Sequence, residues 1–425
     1  MPGAGISPAG MTADPAFVLD VTRLISRLGQ GPLTGIDRVE AAWLAHLQDR
    51  PHHLVARLGP AQMLLGPDAG ADLLRWTAGD KGAVPAASLL DRILGQTALR
   101  PRAKRAMARR AVARVPLSGR GIARRLHRIM PGRPVYLNVG HSNLGAPWLD
   151  SLGHAALRIV LIHDTIPLDH PDLTRPGQDA IFRDRLTAAL SHADIVVAIS
   201  AATRDDLLRW RDRLGIRSPA PIVVAPIGTT RHPAVPADLP PDLELTRPFL
   251  VVLGTIEPRK NHALLLDAWQ LLAQHHVAAG NRAADLPQLL IVGRRGWENA
   301  ATFARLDALP PGGPVRELPS LPDGAVAALL DRAHALLLPS LSEGFGLPLT
   351  EAACRGTPIL CTPLPTARAL LGDYPIYLPA DDPRPWTDAI ARITKAPRRP
   401  RTPLVVPGWA AHFRRVEDAA MQAFT

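Results

Sequence analysis

The segment 339–351, here called the glutamate motif, limits most narrowly what this chain can fold into. It follows a short apolar run, 335–338, that is typical of a buried strand. The motif then turns on Gly344 and Gly346 and enters a helical pattern near Pro348. A strand, a glycine loop and a helix N-terminus in this order predict one repeat of an α/β sheet.

Two carboxylates bracket this turn, because Glu343 lies in the loop and Glu351 in the first helical turn. Glycine lets a backbone approach a ligand closely, and a helix N-terminus favours oxygen-rich groups. We therefore predict that the motif binds a polyhydroxylated ligand. The alternative is that Glu351 only decorates a helix start, where the dipole favours an acid.

The letters of the motif, PSLSEGFGLPLTE, resemble the sugar-nucleotide signature of retaining glycosyltransferase family 4, also described as glycosyl transferases group 1. In that family the first glutamate contacts the donor sugar and the second holds the ribose of the nucleotide. The resemblance implies these roles for Glu343 and Glu351. It places four intervening residues in the same donor-binding set: Gly344, Phe345, Gly346 and Leu347.

A second glycine loop, residues 254–261 and here called the cationic loop, follows an apolar run and precedes a helical pattern. Its Arg259 and Lys260 stand where the helix dipole disfavours cations, so we expect an anion beside them. The alternative is a solvated Arg–Lys pair. The loop resembles the phosphate loop of the family, which implies that four residues bind the donor diphosphate: Gly254, Thr255, Arg259 and Lys260.

Fixed cations at this position would stabilise the charge that grows on a departing nucleoside diphosphate. Sugar-nucleotide enzymes of another fold use a divalent metal held by an Asp-x-Asp triplet, and the sequence contains no such triplet. We therefore expect metal-independent transfer, with no metal site and with no cofactor besides the nucleotide-sugar substrate.

In the first half of the chain, His163 and Asp164 come directly after the apolar run 159–162. Ligands of open α/β sheets bind beyond the carboxyl ends of the strands. In the resembled family a histidine here lies near the transferred sugar, which implies a catalytic set of His163, Asp164 and Glu343. Two alternatives stay open: that backbone groups satisfy His163, and that it positions the sugar instead of acting as a base.

Shorter stretches complete the predicted site. The glycine loop 31–35 is similar to the first-domain loop of the family, although it lacks the commoner double glycine, and we expect Thr34 and Gly35 to approach the ligand. Gly293, at the end of an apolar run, is expected next to the nucleotide. Backbone groups near Leu318 are expected to distinguish guanine from uracil.

Length and patterning predict two α/β domains, because 425 residues with 47% hydrophobic content exceed one ordinary core. Mostly apolar runs bounded by turn residues predict strands at 17–19, 135–139, 159–162, 195–199, 222–225, 249–253, 288–292, 335–338 and 358–361, and the short stretch 315–318 between prolines is predicted as a further strand. Helical patterns cover 36–47, 178–190, 202–214 and 409–424.

With the resemblance, this organisation implies the GT-B fold. That fold has two doubly wound, Rossmann-like domains facing a cleft, and a C-terminal helix that crosses back to the first domain. The predicted parts are a disordered N-terminus at 1–15, an acceptor-side domain at 16–235, a proline-rich linker at 236–248, a nucleotide-sugar-binding domain at 249–405 and the crossing helix at 406–425.

Basic charge is concentrated in the segment 98–133, which we predict to be helical. The segment contains twelve basic residues and no acidic one, against a net charge of +11 for the whole chain. Four apolar residues fall on one helical face beside these arginines: Ile122, Leu126, Ile129 and Met130. This pattern is typical of a helix on an anionic membrane surface, here through residues 100–133, and the alternative is a solvated arginine-rich face. We expect no nucleic-acid partner.

The cellular location of the protein is predicted from sequence features that are absent. Two cysteines exclude a disulfide framework, and no stretch reaches the roughly 18 apolar residues that span a bilayer. The N-terminus also lacks the basic-then-apolar order of a signal peptide. We therefore expect a cytoplasmic protein, peripheral on the inner face of the cell membrane.

Together these features lead to one hypothesis with two alternatives. The chain would be a retaining, mannosyltransferase-like enzyme that moves a hexose-type sugar from a GDP- or UDP-sugar to a glycan or lipid-linked acceptor in cell-surface polysaccharide synthesis. The first alternative is a sugar-nucleotide epimerase of related fold. The second is a catalytically silent nucleotide-sugar-binding protein.

Overall fold

The computed structural model describes residues 15–80, 84–87, 92, 98–130, 132–282 and 285–424. By its contacts the chain divides into two compact units, with the boundary inside one strand, Leu157–Ile162. Unit 1 comprises the described residues of 1–29, 39–159 and 420–425, and unit 2 comprises those of 30–38 and 160–419. The predicted domain boundaries stay a prediction. Of the N-terminal segment 1–15 that was predicted to be disordered, residues 1–14 lie outside the described residues.

Unit 1 contains a mixed sheet and its helices. The strands are β1 (Phe17–Asp20), β2 (His52–Leu58), β3 (Ala61–Leu65), β4 (Ala111–Pro116) and β5 (Val135–Asn138). The helices are α1 (Thr22–Arg27), α2 (Gly35–His46), whose first turn belongs to unit 2, α3 (Asp68–Thr77), α4 (Leu99–Arg109), α5 (Ile122–Ile129) and α6 (Ala146–Leu152). The strand order is β4-β3-β2-β1-β5. β1 is parallel to β2 and β5, and β3 is antiparallel to both of its neighbours, β2 and β4.

Unit 2 begins with three neighbouring strands: β6 (Leu157–Ile162), β7 (Ile195–Ala198) and β8 (Ile222–Val224). The helices between them are α7 (Ile166–Asp169), α8 (Gln178–His192) and α9 (Ala201–Arg213).

A second, parallel sheet follows in unit 2. Its strands are β9 (Phe249–Leu253), β10 (Gln288–Val292), β11 (Val315–Leu318), β12 (Ala335–Leu338), β13 (Ile359–Cys361) and β14 (Ile376–Tyr377), in the order β11-β10-β9-β12-β13-β14. The helices are α10 (His262–Ala278), α11 (Ala300–Asp307), α12 (Asp323–Arg332), α13 (Leu347–Ala353), α14 (Pro365–Leu371), α15 (Pro383–Lys395) and the C-terminal α16 (Trp409–Gln422).

The central strands of this second sheet are covered on both faces, which explains the uninterrupted apolar runs of β9 and β12. In β9, Phe249, Val251 and Leu253 face one core cluster, whereas Leu250 and Val252 face the other. Parallel strands buried on both faces form continuous apolar runs in the sequence. The predicted strands of this half are confirmed, and β10, β11 and β12 have the predicted bounds.

The patterns above do not predict β2, β3 and β4. β2 and β3 form a hairpin around the dipeptide Gly59-Pro60, a turn signal that sequence reasoning missed. β4 lies between α4 and α5, so the expectation that 98–133 is helical throughout is wrong there. In β4 the buried Ala113 and Val115 alternate with the exposed Arg114, which is the two-residue period of a strand.

The apolar face of α5 packs inside unit 1, where this helix contacts α6. Of the four apolar residues predicted to face a membrane, Ile122, Leu126 and Met130 are buried and the fourth is half-buried. All three arginines of α5 are exposed. Within the described ranges, none of the helices combines the length and the apolar character that crossing a bilayer requires. The membrane hypothesis therefore rests on the arginine charge, because the apolar face belongs to the protein core.

The C-terminal helix α16 packs on the end of β8, as predicted for the crossing helix. His412 Nδ1 lies 3.0 Å from the carbonyl oxygen of Ala225, and Arg415 Nη1 donates to the carbonyl oxygen of Val224 at 3.2 Å. Both contacts fall within unit 2. They attach the last helix to a strand that precedes the proline-rich segment in the chain.

Gly293 ends β10 and has no room for a side chain. A Cβ atom there would lie 1.9 Å from the backbone oxygen of Gly254. We predict that Gly293→Ala lowers the free energy of unfolding by about 1–3 kcal/mol, because the backbone must shift to accept the methyl group. Gly408→Ala is the matched control, since no atom lies within 4 Å of that Cβ position, and we expect a change below about 0.5 kcal/mol. Urea unfolding followed by circular dichroism measures both variants, and equal effects would contradict the prediction.

Candidate functional site

Three predicted loops lie together at the carboxyl edge of the second sheet. The cationic loop follows β9, Gly293 follows β10 and the glutamate motif follows β12. Because parallel strands end at the same edge, their loops become neighbours. The N–H of Leu341 donates to the carbonyl oxygen of Arg259 at 2.9 Å, and the N–H of Gly293 donates to that of Leu318 at 3.1 Å. The two predicted nucleotide-adjacent residues, Gly293 and Leu318, are thus in contact.

Glu343 binds both cations of the cationic loop. Its Oε1 accepts hydrogen bonds from Lys260 Nζ at 2.6 Å and from Ser340 Oγ at 2.7 Å, and its Oε2 accepts one from Arg259 Nη1 at 2.9 Å. The Glu343 side chain is only 8% exposed. A carboxylate offers about four lone-pair sites, so these contacts leave about one for a further donor.

This arrangement keeps Glu343 ionised. Burial alone would raise the pKa of Glu343, but the charges of Lys260 and Arg259 and the hydrogen bonds outweigh burial and lower that pKa to about 2. At neutral pH Glu343 therefore accepts hydrogen bonds and has no proton to donate. It can orient a hydroxyl group, and it cannot serve as a general acid.

Arg259 lies between two carboxylates. Besides Glu343 it binds Glu257, whose Oε1 lies 2.6 Å from Arg259 Nη2 and which is buried. Burial lowers the pKa of a guanidinium, yet Glu343, Glu257 and Asp164 together raise the pKa of Arg259. Lys260 ends a short 3-10 helix directly before α10. The two cations lie at a helix start, as predicted, and their contact with a diphosphate stays a prediction.

The other donor-set residues of the two loops shape the backbone. Gly254 lies against Lys260, whose Cε would be 3.3 Å from a Cβ at Gly254. Thr255 follows it and packs by its methyl group against the loop after β10. Phe345 is buried, and Gly346 has φ +91° directly before α13, a conformation that glycine adopts without strain. Phe345 therefore packs into the protein, and Gly346 sets the start of the helix.

His163 and Asp164 lie directly beside the glutamate motif, within unit 2. A Cβ atom at Gly344 would lie 2.5 Å from the carbonyl oxygen of His163 and 3.0 Å from Asp164 Cβ, so only glycine fits there. Asp164 Oδ1 accepts a hydrogen bond from the N–H of Ile166 at 3.1 Å, at the start of α7. Burial raises the pKa of Asp164, and the positive charge of Arg259 reduces that rise. The structure thus brings the three predicted catalytic residues together around Gly344, and their roles stay predictions.

The first turn of α9 supports this contact. Ser200 caps the helix, because its Oγ accepts a hydrogen bond from the N–H of Thr203 at 3.0 Å. Thr203 Oγ1 donates to the carbonyl oxygen of His163 at 3.4 Å, and Ser200 Oγ donates to that of Gly344 at 3.5 Å. The cap therefore contacts both the histidine and the glutamate motif.

Glu351 has a partner that the sequence patterns do not predict. Arg38 Nη1 donates to Glu351 Oε1 at 3.0 Å, and Arg38 Nη2 donates to Asp323 Oδ1 at 2.5 Å. Burial raises the pKa of Glu351, and the positive charge of Arg38 offsets only part of that rise. Glu351 is therefore more than a solvated acid at a helix start, although ribose binding stays a prediction.

The first glycine loop lies against the glutamate motif, also within unit 2. A Cβ atom at Gly35 would lie 3.7 Å from Leu347 Cδ1. The N–H and the hydroxyl group of Thr34 both donate to Asp37 Oδ2, at 2.8 and 2.6 Å. Thr34 and Gly35 are thus placed beside the predicted donor-binding residues, and the Asp37 carboxylate holds Thr34 at the start of α2.

A polar pocket opens beside Glu343 and Asp164. Its volume is about 180 Å³, and its wall away from these two residues includes Asp169, Asp206 and Arg209. Sequence reasoning missed these three, since charged residues on amphipathic helices carry no local signal of a pocket. Within the described residues, no group of three or more His, Cys, Asp or Glu side chains is placed to hold a metal ion. The expectation of metal-independent transfer stays a prediction.

Comparison with known protein families extends these observations. Residues 240–402 match the family described as Glycosyl transferases group 1. This range contains the cationic loop, Gly293, Leu318 and the glutamate motif, the stretches that carry the resemblance found in the sequence. The resemblance is therefore confirmed for this part of the chain, which matches the glycosyl transferases group 1.

Two relatives are mannosyltransferases of Escherichia coli. The serotype-specific mannosyltransferase WbdA is 28% identical over 256 residues, which are 57% of this chain and 30% of WbdA. The O-antigen chain mannosyltransferase B is 26% identical over 230 residues, which are 53% of this chain and 58% of that protein. The match thus spans about a third of the first relative and somewhat more than half of the second.

Solved structures share the fold over nearly the whole chain. Sucrose-phosphate synthase from Thermosynechococcus elongatus superimposes with a TM-score of 0.62 at 16% identity, covering 96% of this chain and 99% of that one. At this identity the likeness concerns the fold alone. Together with the parallel strands of the two sheets, it confirms the predicted GT-B fold.

Glu343→Gln tests how strongly the cationic loop depends on this carboxylate. We predict a loss of about 3 kcal/mol in the free energy of unfolding at pH 7, because the half-buried Arg259 and the buried Lys260 both lose a charged partner. Glu317→Gln is the matched control, since its ion pair with Arg295 is more exposed and contributes about 1 kcal/mol or less.

The pH dependence of this difference gives a second measurement. The pKa of Glu343 is lowered to about 2 from a usual value of 4.5. Its stabilisation is therefore complete above about pH 4.5 and is lost as the pH falls toward 2. Urea unfolding at several pH values should show the difference between wild type and Glu343→Gln shrinking over this window. A difference that stays constant down to pH 2 would contradict the assignment.

Proposed function

We propose that this protein is a retaining glycosyltransferase that moves a hexose-type sugar, with mannose as the favoured case, from a nucleoside diphosphate sugar to a glycan or lipid-linked acceptor. One observation carries the proposal: a buried Glu343 bound to Arg259 and Lys260, with His163 and Asp164 against the same loop. This site combines cations for a leaving diphosphate with acceptors for sugar hydroxyl groups. The mannosyltransferase relatives support the choice of sugar and a role in cell-surface polysaccharide synthesis.

In the proposed complex, the cationic loop contacts the diphosphate. Lys260 has three N–H donors and Glu343 takes one, so the same ammonium can contact the carboxylate and a phosphate oxygen at once. Glu343 then orients a sugar hydroxyl group through its remaining lone-pair site. Glu351 accepts hydrogen bonds from the ribose hydroxyl groups.

The transfer step exchanges one bond at the anomeric carbon. The acceptor oxygen forms a bond to that carbon as the bond to the diphosphate oxygen breaks, and the acceptor proton passes to the leaving phosphate or to a nearby base. Arg259 and Lys260 stabilise the negative charge that grows on the departing oxygen. His163 and Asp164 are proposed to position the sugar, and no metal ion is needed for this charge balance.

A panel of nucleotide sugars tests this function. We expect one of GDP-mannose, UDP-glucose and UDP-N-acetylglucosamine to stabilise the folded protein by about 2.7 kcal/mol at a hundredfold excess over its Kd. This stabilisation is measured as a rise in the melting temperature. With an acceptor present, the same donor should give a glycoside of unchanged anomeric configuration by NMR. Activity in excess chelator should equal activity without it. A free epimer as the product would instead support the epimerase alternative.

His163→Ala separates a transferase from a silent binding protein. We expect the variant to keep the donor-induced shift in melting temperature and to lose at least tenfold in turnover, because the histidine positions the reacting sugar. His127→Ala is the control, since His127 is exposed on α5. Unchanged turnover in His163→Ala would contradict a role in transfer, and donor binding without turnover in the wild type would favour the binding-protein alternative.

We also propose that the exposed arginines of α5 attract the anionic inner face of the cell membrane. The apolar face of α5 is buried, so the attraction would be electrostatic and would weaken as salt shortens the Debye length. Wild-type protein should co-sediment with phosphatidylserine vesicles at 20 mM salt and not at about 500 mM. The triple variant Arg124→Glu, Arg125→Glu, Arg128→Glu should not bind at either. Absence of wild-type binding at low salt would overturn the proposal.

A further inference from the structure

The pocket beside Glu343 has a second wall that the proposed donor site does not use. This wall consists of α7 with His170 on one side and of Ala202, Asp206 and Arg209 in α9 on the other. Its volume of about 180 Å³ is several times the roughly 30 Å³ that a water molecule occupies. The pocket is therefore large enough for a sugar ring, and it opens toward the groups proposed to hold the reacting sugar.

A hydrogen-bond network fixes the side chains of this second wall. Asp169 Oδ1 accepts from Arg209 Nη1 at 2.7 Å and from Trp210 Nε1 at 3.0 Å, and its Oδ2 accepts from Thr165 Oγ1 at 2.5 Å. Arg209 Nη2 donates to Asp206 Oδ1 at 2.5 Å. The guanidinium thus spans two carboxylates from α7 and α9, and the wall is preorganised.

The charge of the pocket lining selects the class of ligand. At the second wall two carboxylates, from Asp169 and Asp206, share the one guanidinium of Arg209, whereas at the other end of the pocket Arg259 and Lys260 compensate Glu343. Because Arg209 already binds both of these carboxylates, a phosphate against the second wall would meet a net negative charge at short range. Hydroxyl groups, in contrast, donate hydrogen bonds to carboxylates. The lining favours an uncharged, hydroxyl-rich ligand.

We propose that this pocket binds the terminal sugar of an uncharged acceptor glycan and excludes sugars that carry a phosphate. The inference rests on the proposed transferase function and adds the acceptor class to it. Asp206 is the specificity-determining residue of the wall: its side chain is 41% exposed, so an entering sugar can reach it, whereas that of Asp169 is 17% exposed and accepts three hydrogen bonds. A sugar bound at Asp206 would lie in the same pocket as Glu343 and Asp164.

The test compares a neutral and a phosphorylated probe on the full chain, with the donor identified by the nucleotide-sugar panel. Transfer to methyl α-D-mannopyranoside and to mannose 6-phosphate is measured as the release of nucleoside diphosphate above the rate without acceptor. We expect kcat/KM to be at least tenfold higher for the neutral probe. Asp206→Asn should raise the KM of the neutral probe about tenfold, because hydrogen bonds to a charged acceptor are lost.

Two further variants make the result specific. Asp205→Asn is the matched control, since Asp205 is the next residue of α9 and its side chain is 62% exposed outside the pocket lining; its KM should stay unchanged. Asp206→Lys reverses the charge and should shift the preference toward mannose 6-phosphate. In every variant the donor-induced shift in melting temperature should match the wild type, which reports that the protein is folded and binds donor.

The outcomes separate this inference from the function on which it rests. If the wild type binds no donor, both fail. If donor binds and mannose 6-phosphate is used as well as the neutral probe, the acceptor inference fails and the transferase function stands. Transfer to neither probe, or an Asp206→Asn variant with an unchanged KM for the neutral probe, would likewise overturn the assignment of the pocket.

Discussion

The contact of Glu343 with Arg259 and Lys260 is the interaction on which the site depends. It joins the loop after β9 to the loop after β12, and it compensates charges that burial would otherwise make costly. The two cations lower the pKa of Glu343 and so favour its ionised form, and the carboxylate of Glu343 holds both cations near the start of α10. Because the glutamate motif is fixed in this way, Gly344 lies against the loop after β6, and His163 and Asp164 come next to the motif that contains Glu343.

The sequence allowed the second sheet and its loops to be predicted because their signals are local. β9, β10 and β12 are buried along their whole length, so they read as almost continuous apolar runs, and a glycine or proline follows each of them directly. The antiparallel strands β2, β3 and β4 have shorter or interrupted signals, and β4 lies in an arginine-rich stretch where composition indicated a helix. The apolar face of α5 shows the same limit, since an amphipathic pattern does not say whether lipid or protein covers it.

The sequence predicted which residues form the candidate site, but not which of them contact each other. Glu343, Arg259 and Lys260 stand in motifs, but the contact of Lys260 with Glu343 joins positions 83 residues apart. That of Arg38 with Glu351 spans 313 residues. No local pattern encodes which distant partner a charge will meet, because the fold decides it. The pocket wall around Arg209 was missed for the same reason, and the ionisation of Glu343 followed only from its surroundings.

The fit at Gly344 has a consequence for how this site can vary. The main chain of Gly344 lies against the carbonyl oxygen of His163 and the side chain of Asp164, so a larger residue at position 344 would require one of the two loops to shift. The loop after β6 and the glutamate motif therefore behave as one matched part, although they lie in different halves of the sequence. A chimera that joins the first half of this chain to the second half of a relative would need loops shaped for each other.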